Sequence, residues 1–238
     1  KGLTKLLNRS RTSPLLYGSA IRVFTNGKDK FQALFDDIRR AKQHVHIQYY
    51  IFNDDEIGTQ LKELLIQKVH EGVEVRVLYD DVGSWKAKNR FFREMEKEGI
   101  EVYAFLKVVF PVLTSKVNYR NHRKVVVIDG KIGYMGGMNV ADRYVKGVSW
   151  GVWRDLHFRI EGKGVQCLQT AFLLDWYVAS KQLIMDKRYF PKAEVFSNNI
   201  MQVITSGPVG PWQVLTQAEI YLITNARKYV YIQTPYFL

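Results

Sequence analysis

The chain has 238 residues, 47% of them hydrophobic, which is material for one or two domains with a sizeable core. Its 35 Lys and Arg against 23 Asp and Glu give a formal net charge of +12, which calls for an anionic partner: phospholipid head groups, a membrane surface or nucleic acid. The single cysteine, Cys167, excludes an internal disulfide, and no Cys/His cluster has zinc-like spacing, so neither a metal nor another cofactor is expected.

Lys1–Ala20 opens the chain with four basic residues and no acid, a basic segment ahead of the first regular element. Ile21–Phe24 reads as a strand ended by Asn26-Gly27. Phe31, Leu34, Phe35 and Ile38 recur at helical spacing and give a helix with one apolar face. His44–Phe52 is a long strand on which His46 and Gln48 share a face, with His46 expected to be structural. Ile57, Leu61, Leu64 and Leu65 make a second amphipathic helix that closes near Gly72. Val73–Tyr79 is a strand, Phe91, Phe92 and Met95 mark a third helix stopped by Gly99, and Ile100–Phe105 is a strand again. Arg154–Ile160 is a further strand, with His157 expected to be structural. Val165–Val178 is apolar on nearly every side, which predicts a buried helix and makes Cys167 a buried thiol.

Alternating strands and helices predict an α/β fold, a mixed β-sheet sandwiched by helices. The sheet is mixed because VVVI-DG-KIGYM reads as two apolar strands joined by Asp129-Gly130, a tight hairpin. No run approaches the ~18–20 apolar residues of a membrane span.

The stretch Asn121–Asn139, NHRKVVVIDGKIGYMGGMN, carries the chemistry. His122 and Lys124 are two apart, so in a strand both leave from one face. Breaking a phosphodiester needs a nucleophile, charge for the phosphoryl oxygens and a proton for the departing alkoxide. A neutral imidazole attacks, a lysine ammonium supplies charge, and Gly136-Gly137 lets backbone N–H groups come close. The Asn139 amide adds a donor. Two readings stand for Asp129, a site residue or the hairpin turn, and two for Asn139, a phosphate donor or a helix cap together with Asp142. Six basic residues, Lys107, Lys116, Arg120, Arg123, Lys124 and Lys131, surround the motif against Asp129 alone. The run Val108–Leu113 between lysines suits a membrane interface or a buried edge strand.

The pattern H-x-K-x4-D-x6-G-G-x-N, complete over His122, Lys124, Asp129, Gly136, Gly137 and Asn139, resembles the signature of the phospholipase D superfamily. IQYYIFNDDEIG (Ile47–Gly58), WRDLHFRIEG (Trp153–Gly162) and IQTPYF (Ile232–Phe237) resemble the bacterial cardiolipin synthases, and the likeness runs through essentially the whole chain. The resemblance implies a phosphatidyltransferase that makes cardiolipin from two phosphatidylglycerol molecules with release of glycerol, through a phosphohistidine. It implies His122 as nucleophile, Lys124, Asn139 and Gly137 on the phosphate, and Asp129 holding the motif's geometry. It also implies attachment to the bacterial cytoplasmic membrane, with any transmembrane helices upstream of this chain.

The chain begins to repeat itself. IRVFTNG at Ile21–Gly27 matches MQVITSG at Met201–Gly207, and AKQHVHIQYYIF at Ala41–Phe52 matches ARKYVYIQTPYF at Ala226–Phe237. Val214, Leu215, Ala218, Tyr221 and Leu222 restore a helical apolar face between them. A strand, a helix and a strand are therefore expected again. The matched segments lie roughly 180–185 residues apart, so a second histidine motif is expected past Leu238. The expected division is residues 1–20 as the basic segment, 21–180 as a first phospholipase D-like repeat, 181–199 as connector and 200–238 as the start of a second. The partners expected are anionic phospholipid (phosphatidylglycerol), a membrane surface and the second repeat with its own histidine motif, and no nucleic acid. The chain alone is then inactive. The alternatives are another phosphodiester enzyme of the superfamily (a phospholipase, a phosphatidylserine synthase or a nuclease), or a fragment that binds anionic lipid without turnover.

Overall fold

The computed structural model describes residues 2–8, 13–106, 120–207 and 213–234. The run Val108–Leu113, with Lys107 and Lys116 beside it, lies outside these residues, as does the end of the second match, 235–238.

In chain order the elements are α1 (Gly2–Asn8), β1 (Leu16–Tyr17), β2 (Ala20–Phe24), α2 (Gly27–Arg40), β3 (His44–Tyr49), α3 (Glu56–His70), β4 (Glu74–Asp80), α4 (Asn89–Lys97) and β5 (Glu101–Phe105). There follow β6 (Val125–Ile128), β7 (Ile132–Gly136), α5 (Arg143–Lys146), β8 (His157–Glu161), α6 (Gly164–Ser180), β9 (Ile200–Met201) and α7 (Val214–Thr224). Contacts divide the chain into one unit over Tyr17–Asn199 and another formed by Lys1–Leu16 with Ile200–Leu238.

The larger unit is built on a seven-stranded sheet in the order β2-β8-β7-β6-β3-β4-β5. β3, β4 and β5 run parallel, joined through α3 and α4, and the other pairings are antiparallel. The mixed sheet expected from the hairpin is therefore present. β3 and β4 lie inside the sheet, and β3 is buried along its whole length, its His44, His46 and Gln48 included.

Strand alternation sends the two faces to different cores. Val45, Ile47, Val75, Val77, Val126 and Ile128 pack with Phe31, Leu34 and Ile38 of α2 and Leu61 and Leu65 of α3. Leu78 on the other face packs with Phe172, Leu173 and Trp176 of α6. The two helices on the first of these faces, α2 and α3, each start on a side-chain cap: the Asn26 carboxamide accepts from Asp29 N at 2.9 Å, and the Asp55 carboxylate from Gly58 N at 3.2 Å.

Three expectations need correction. α6 is not buried all round: Leu174, Tyr177 and Val178 are exposed, because only the side of the helix turned to the sheet is covered. Cys167 on that helix is half-buried, although burial still pushes its thiol pKa up. In the smaller unit β9 and α7 form, but Ala226–Thr234 is exposed and makes no strand. A strand needs a lateral partner for its N–H and C=O groups, and none of the described residues supplies one.

Candidate active site

One edge of the sheet gathers the polar residues. The carboxyl ends of β3, β4 and β7 meet the amino ends of β6 and β8 there, bringing together Tyr50, Asp80, His122, Lys124, Gly136, Gly137 and Asp155. Parallel β3 and β4 bring Tyr50 and Asp80 to that edge in register, since Tyr49 pairs with Tyr79.

The strand expected to carry His122 and Lys124 begins one residue later, at Val125. The pair still converges. The exposed imidazole of His122 stacks on the Tyr50 ring, with centroids 3.8 Å apart and planes at 20°. Lys124 Nζ lies 5.4 Å from the same ring and donates to the His122 carbonyl oxygen. Burial, then the positive charge of Lys124, hold the His122 pKa below the usual imidazole value against a smaller opposing pull from Asp80. The Lys124 ammonium is pushed down to about 8 by burial, which outweighs the attraction of Asp155. A neutral imidazole beside a lysine near its own titration point can act as a nucleophile paired with a cation that attracts an anionic centre.

Gly137 is needed for close approach. A Cβ there would stand 2.0 Å from Asp155 Oδ1, so any larger residue would have to push the Asp155 carboxylate aside. Its own N–H donates to the Leu156 carbonyl at 2.8 Å. Asn139 is 4% exposed and turned inward: Oδ1 accepts from Ile51 N at 3.0 Å, and Nδ2 donates to Tyr144 Oη at 2.8 Å. It caps no helix; α5 begins after Asp142, which makes no side-chain cap bond either.

Asp129 stands apart. It follows the far end of β6, roughly 16 Å from Lys124 at strand rise. Asp129 and Gly130 have φ of 52° and 63°, the two positive angles a type I′ hairpin turn requires. The Asp129 carboxylate accepts three backbone N–H groups, from Lys42 at 2.9 Å, Gln43 at 2.8 Å and His44 at 3.0 Å. It ties the hairpin to the start of β3.

The two histidines of β3 and that of β8 are buried. On the α6 face His46 stacks on Phe172, accepts at Nε2 from Arg76 Nη1 and has Nδ1 2.9 Å from Gln169 Nε2, and burial first, then His46, lowers the His44 pKa to about 3. His157 is fully buried, and burial followed by the charges of Lys30 and Lys124 keeps it neutral. Tyr50, Asp80 and Asp155 received no role from the sequence, though Tyr50 sits in IQYYIF and Asp155 in WRDLHF. Among the described residues no cluster of three His, Cys, Asp or Glu is placed to hold a metal, and no helix is long and apolar enough to cross a membrane.

A family profile described as "Cardiolipin synthase, PLD-like domain" matches residues 34–150. The chain is 46% identical over 222 residues to a cardiolipin synthase of Oceanobacillus iheyensis, covering 92% of this chain and 46% of that protein. It is 42% identical over 241 residues to the major cardiolipin synthase ClsA of Bacillus subtilis, covering 100% of this chain and 50% of that one. The chain thus spans about half the length of the curated relatives it matches. In fold it is similar to NucT from Helicobacter pylori, with a TM-score of 0.54 and 15% identity over 68% of this chain and 98% of that one. It is also similar to the phosphatidylserine synthase of Haemophilus influenzae, with a TM-score of 0.54 and 15% identity over 94% of this chain and 48% of the other.

Proposed function

We propose that this chain belongs to the phospholipase D superfamily and is one half of a cardiolipin synthase, joining two phosphatidylglycerol molecules with release of glycerol. The observation that carries the reading is the convergence of His122 and Lys124 on Tyr50 at an open sheet edge. The neutral imidazole attacks phosphorus of the first phosphatidylglycerol. A P–N bond forms, the P–O bond to glycerol breaks, and the alkoxide leaves with a proton from a general acid. The primary hydroxyl of the second phosphatidylglycerol then loses its proton to that group and attacks the phosphohistidine, releasing cardiolipin and free His122.

Lys124 balances charge on the phosphoryl oxygens. Gly137 leaves room for the phosphate and Asn139 braces the loop after Tyr50 that borders it, while Asp129 holds the hairpin at the far end of β6. Stacking on Tyr50 fixes the plane of the imidazole. Nucleophile and leaving group stand on opposite sides of phosphorus in an in-line displacement, so one imidazole cannot serve both. The general acid is therefore a histidine of a second repeat, facing a membrane surface that presents anionic lipid.

The test is phosphatidyl transfer on phosphatidylglycerol vesicles. The full-length protein is expected to release glycerol and form cardiolipin. The 238-residue chain is expected to be silent alone and active when mixed with a second repeat. His122-dependent turnover by the chain alone would refute the two-histidine mechanism.

A further inference from the structure

The segment that carries His122 is gripped from behind. Residues 120–124 lie outside the sheet ladder, which takes up β6 only at Val125. The backbone there therefore lacks the strand bonds that fix β6 itself. His122 and Lys124 meet at Tyr50, while Asn121 and Arg123, between them in sequence, reach to the opposite face.

On that face stands Asp175 of α6, buried at 7% exposure. Asn121 Nδ2 donates to its Oδ2 at 2.7 Å. Arg123 Nη1 donates to both carboxylate oxygens, at 2.5 and 2.6 Å. Gln48 Nε2, from β3, donates to Oδ2 at 2.7 Å. One carboxylate thus holds both sequence neighbours of His122 and the strand beside them. Asn121 completes the grip through its backbone: its N–H donates to Asp80 Oδ2 at 3.1 Å, and its Oδ1 accepts from Arg123 N at 3.1 Å.

We propose that Asp175 is a positioning residue, which sets the place of the His122 imidazole from the far side of the sheet through Asn121 and Arg123. It never touches the substrate. The proposal rests on the reading of His122 as nucleophile. Charge-assisted bonds to a buried carboxylate are the stronger kind and carry direction, so replacing the charge loosens the segment without emptying the space. A nucleophile displaced by about 1 Å loses on the order of 10²-fold in rate.

The experiment compares Asp175→Asn, Arg123→Gln and the double variant in the full-length protein. The readouts are kcat and KM for phosphatidylglycerol, and the imidazole resonances of His122, which feel the Tyr50 ring. Asp175→Asn is expected to lower kcat by roughly 10- to 100-fold with KM little changed, and to shift the His122 resonances. The two single effects are expected to overlap, so the double variant is hardly worse than Asp175→Asn. Additive losses, or a normal kcat per folded molecule with unmoved His122 resonances, would overturn the proposal. If Asp175→Asn does not fold, Arg123→Gln and Asn121→Ala read the same grip from its outer side, and normal kcat and resonances in both would overturn it equally. His122→Ala serves as control. If that variant stays active, the nucleophile reading fails, while the resonance shifts in Asp175→Asn still report on the grip.

Discussion

At the Val125 end of β6, His122 and Lys124 stand outside the ladder, their side chains gathered on one aromatic ring. At the Ile128 end, Asp129 is locked in a two-residue turn with its carboxylate spent on three backbone N–H groups. A single sequence motif spans both ends. On the function proposed here, residues read together as one signature divide between chemistry and architecture, and the strand between them keeps the two apart. His122 and Lys124 have perturbed protonation, whereas the Asp129 carboxylate is taken up by three backbone N–H groups.

The largest break in this comparison is His122→Ala. It is expected to reduce cardiolipin formation by the full-length protein to background while leaving the thermal transition where it was, since the ring is exposed. Lys124→Met comes next, with a loss on the order of 10²–10³-fold in kcat, the usual effect of removing one charge-stabilising donor. Lys124 also gives the comparison a pH signature. It is cationic below about 8 and loses its proton above, so affinity for a phosphate ester is expected to fall as pH rises past about 8. The neutral form of His122 sets the lower limb, so activity rises with pH through a value below the ordinary imidazole pKa. In Lys124→Arg the upper limb is expected to vanish from the range up to pH 10; its persistence would assign that limb to another group.

The Asp129 end is expected to respond in the other currency. Asp129→Ala removes the acceptor for three amides, two of which can turn to water, and should lower unfolding free energy by about 2 kcal/mol. Its kcat per folded molecule, read after correcting for the folded fraction by denaturant titration, should stay near that of the parent. A large kcat loss in a fully folded Asp129→Ala would erase the division drawn here. The smallest effect is expected for Tyr50→Leu, which loses the stacked ring and with it about 0.5–1.5 kcal/mol, or roughly 2- to 13-fold in rate.

Much of this was legible in the chain itself. The spacing of Phe31, Leu34, Phe35 and Ile38 marked α2, and the Asp129-Gly130 pair between apolar runs marked the hairpin that makes the sheet mixed. These are local patterns, and each element satisfies its own rule. The rest depends on what lies across the sheet. Nothing near Asp175 in the sequence says that its carboxylate meets Asn121 and Arg123, more than 50 residues earlier. An apolar helix looks buried until its outer side, at Leu174, is left uncovered. Ala226–Thr234 repeats Ala41, Val45, Ile47 and Gln48 of the β3 segment and still forms no strand, because a strand is made by its neighbours as much as by its own side chains.

The assignment of chemistry to the His122 end is tested most directly by trapping the intermediate. Full-length protein turning over phosphatidylglycerol labelled in its phosphate is quenched under alkaline conditions, and the labelled peptide is mapped. The expected result is a phosphatidyl group on the imidazole of His122, absent from His122→Ala. A label on any other residue, or sustained turnover by His122→Ala, would contradict it.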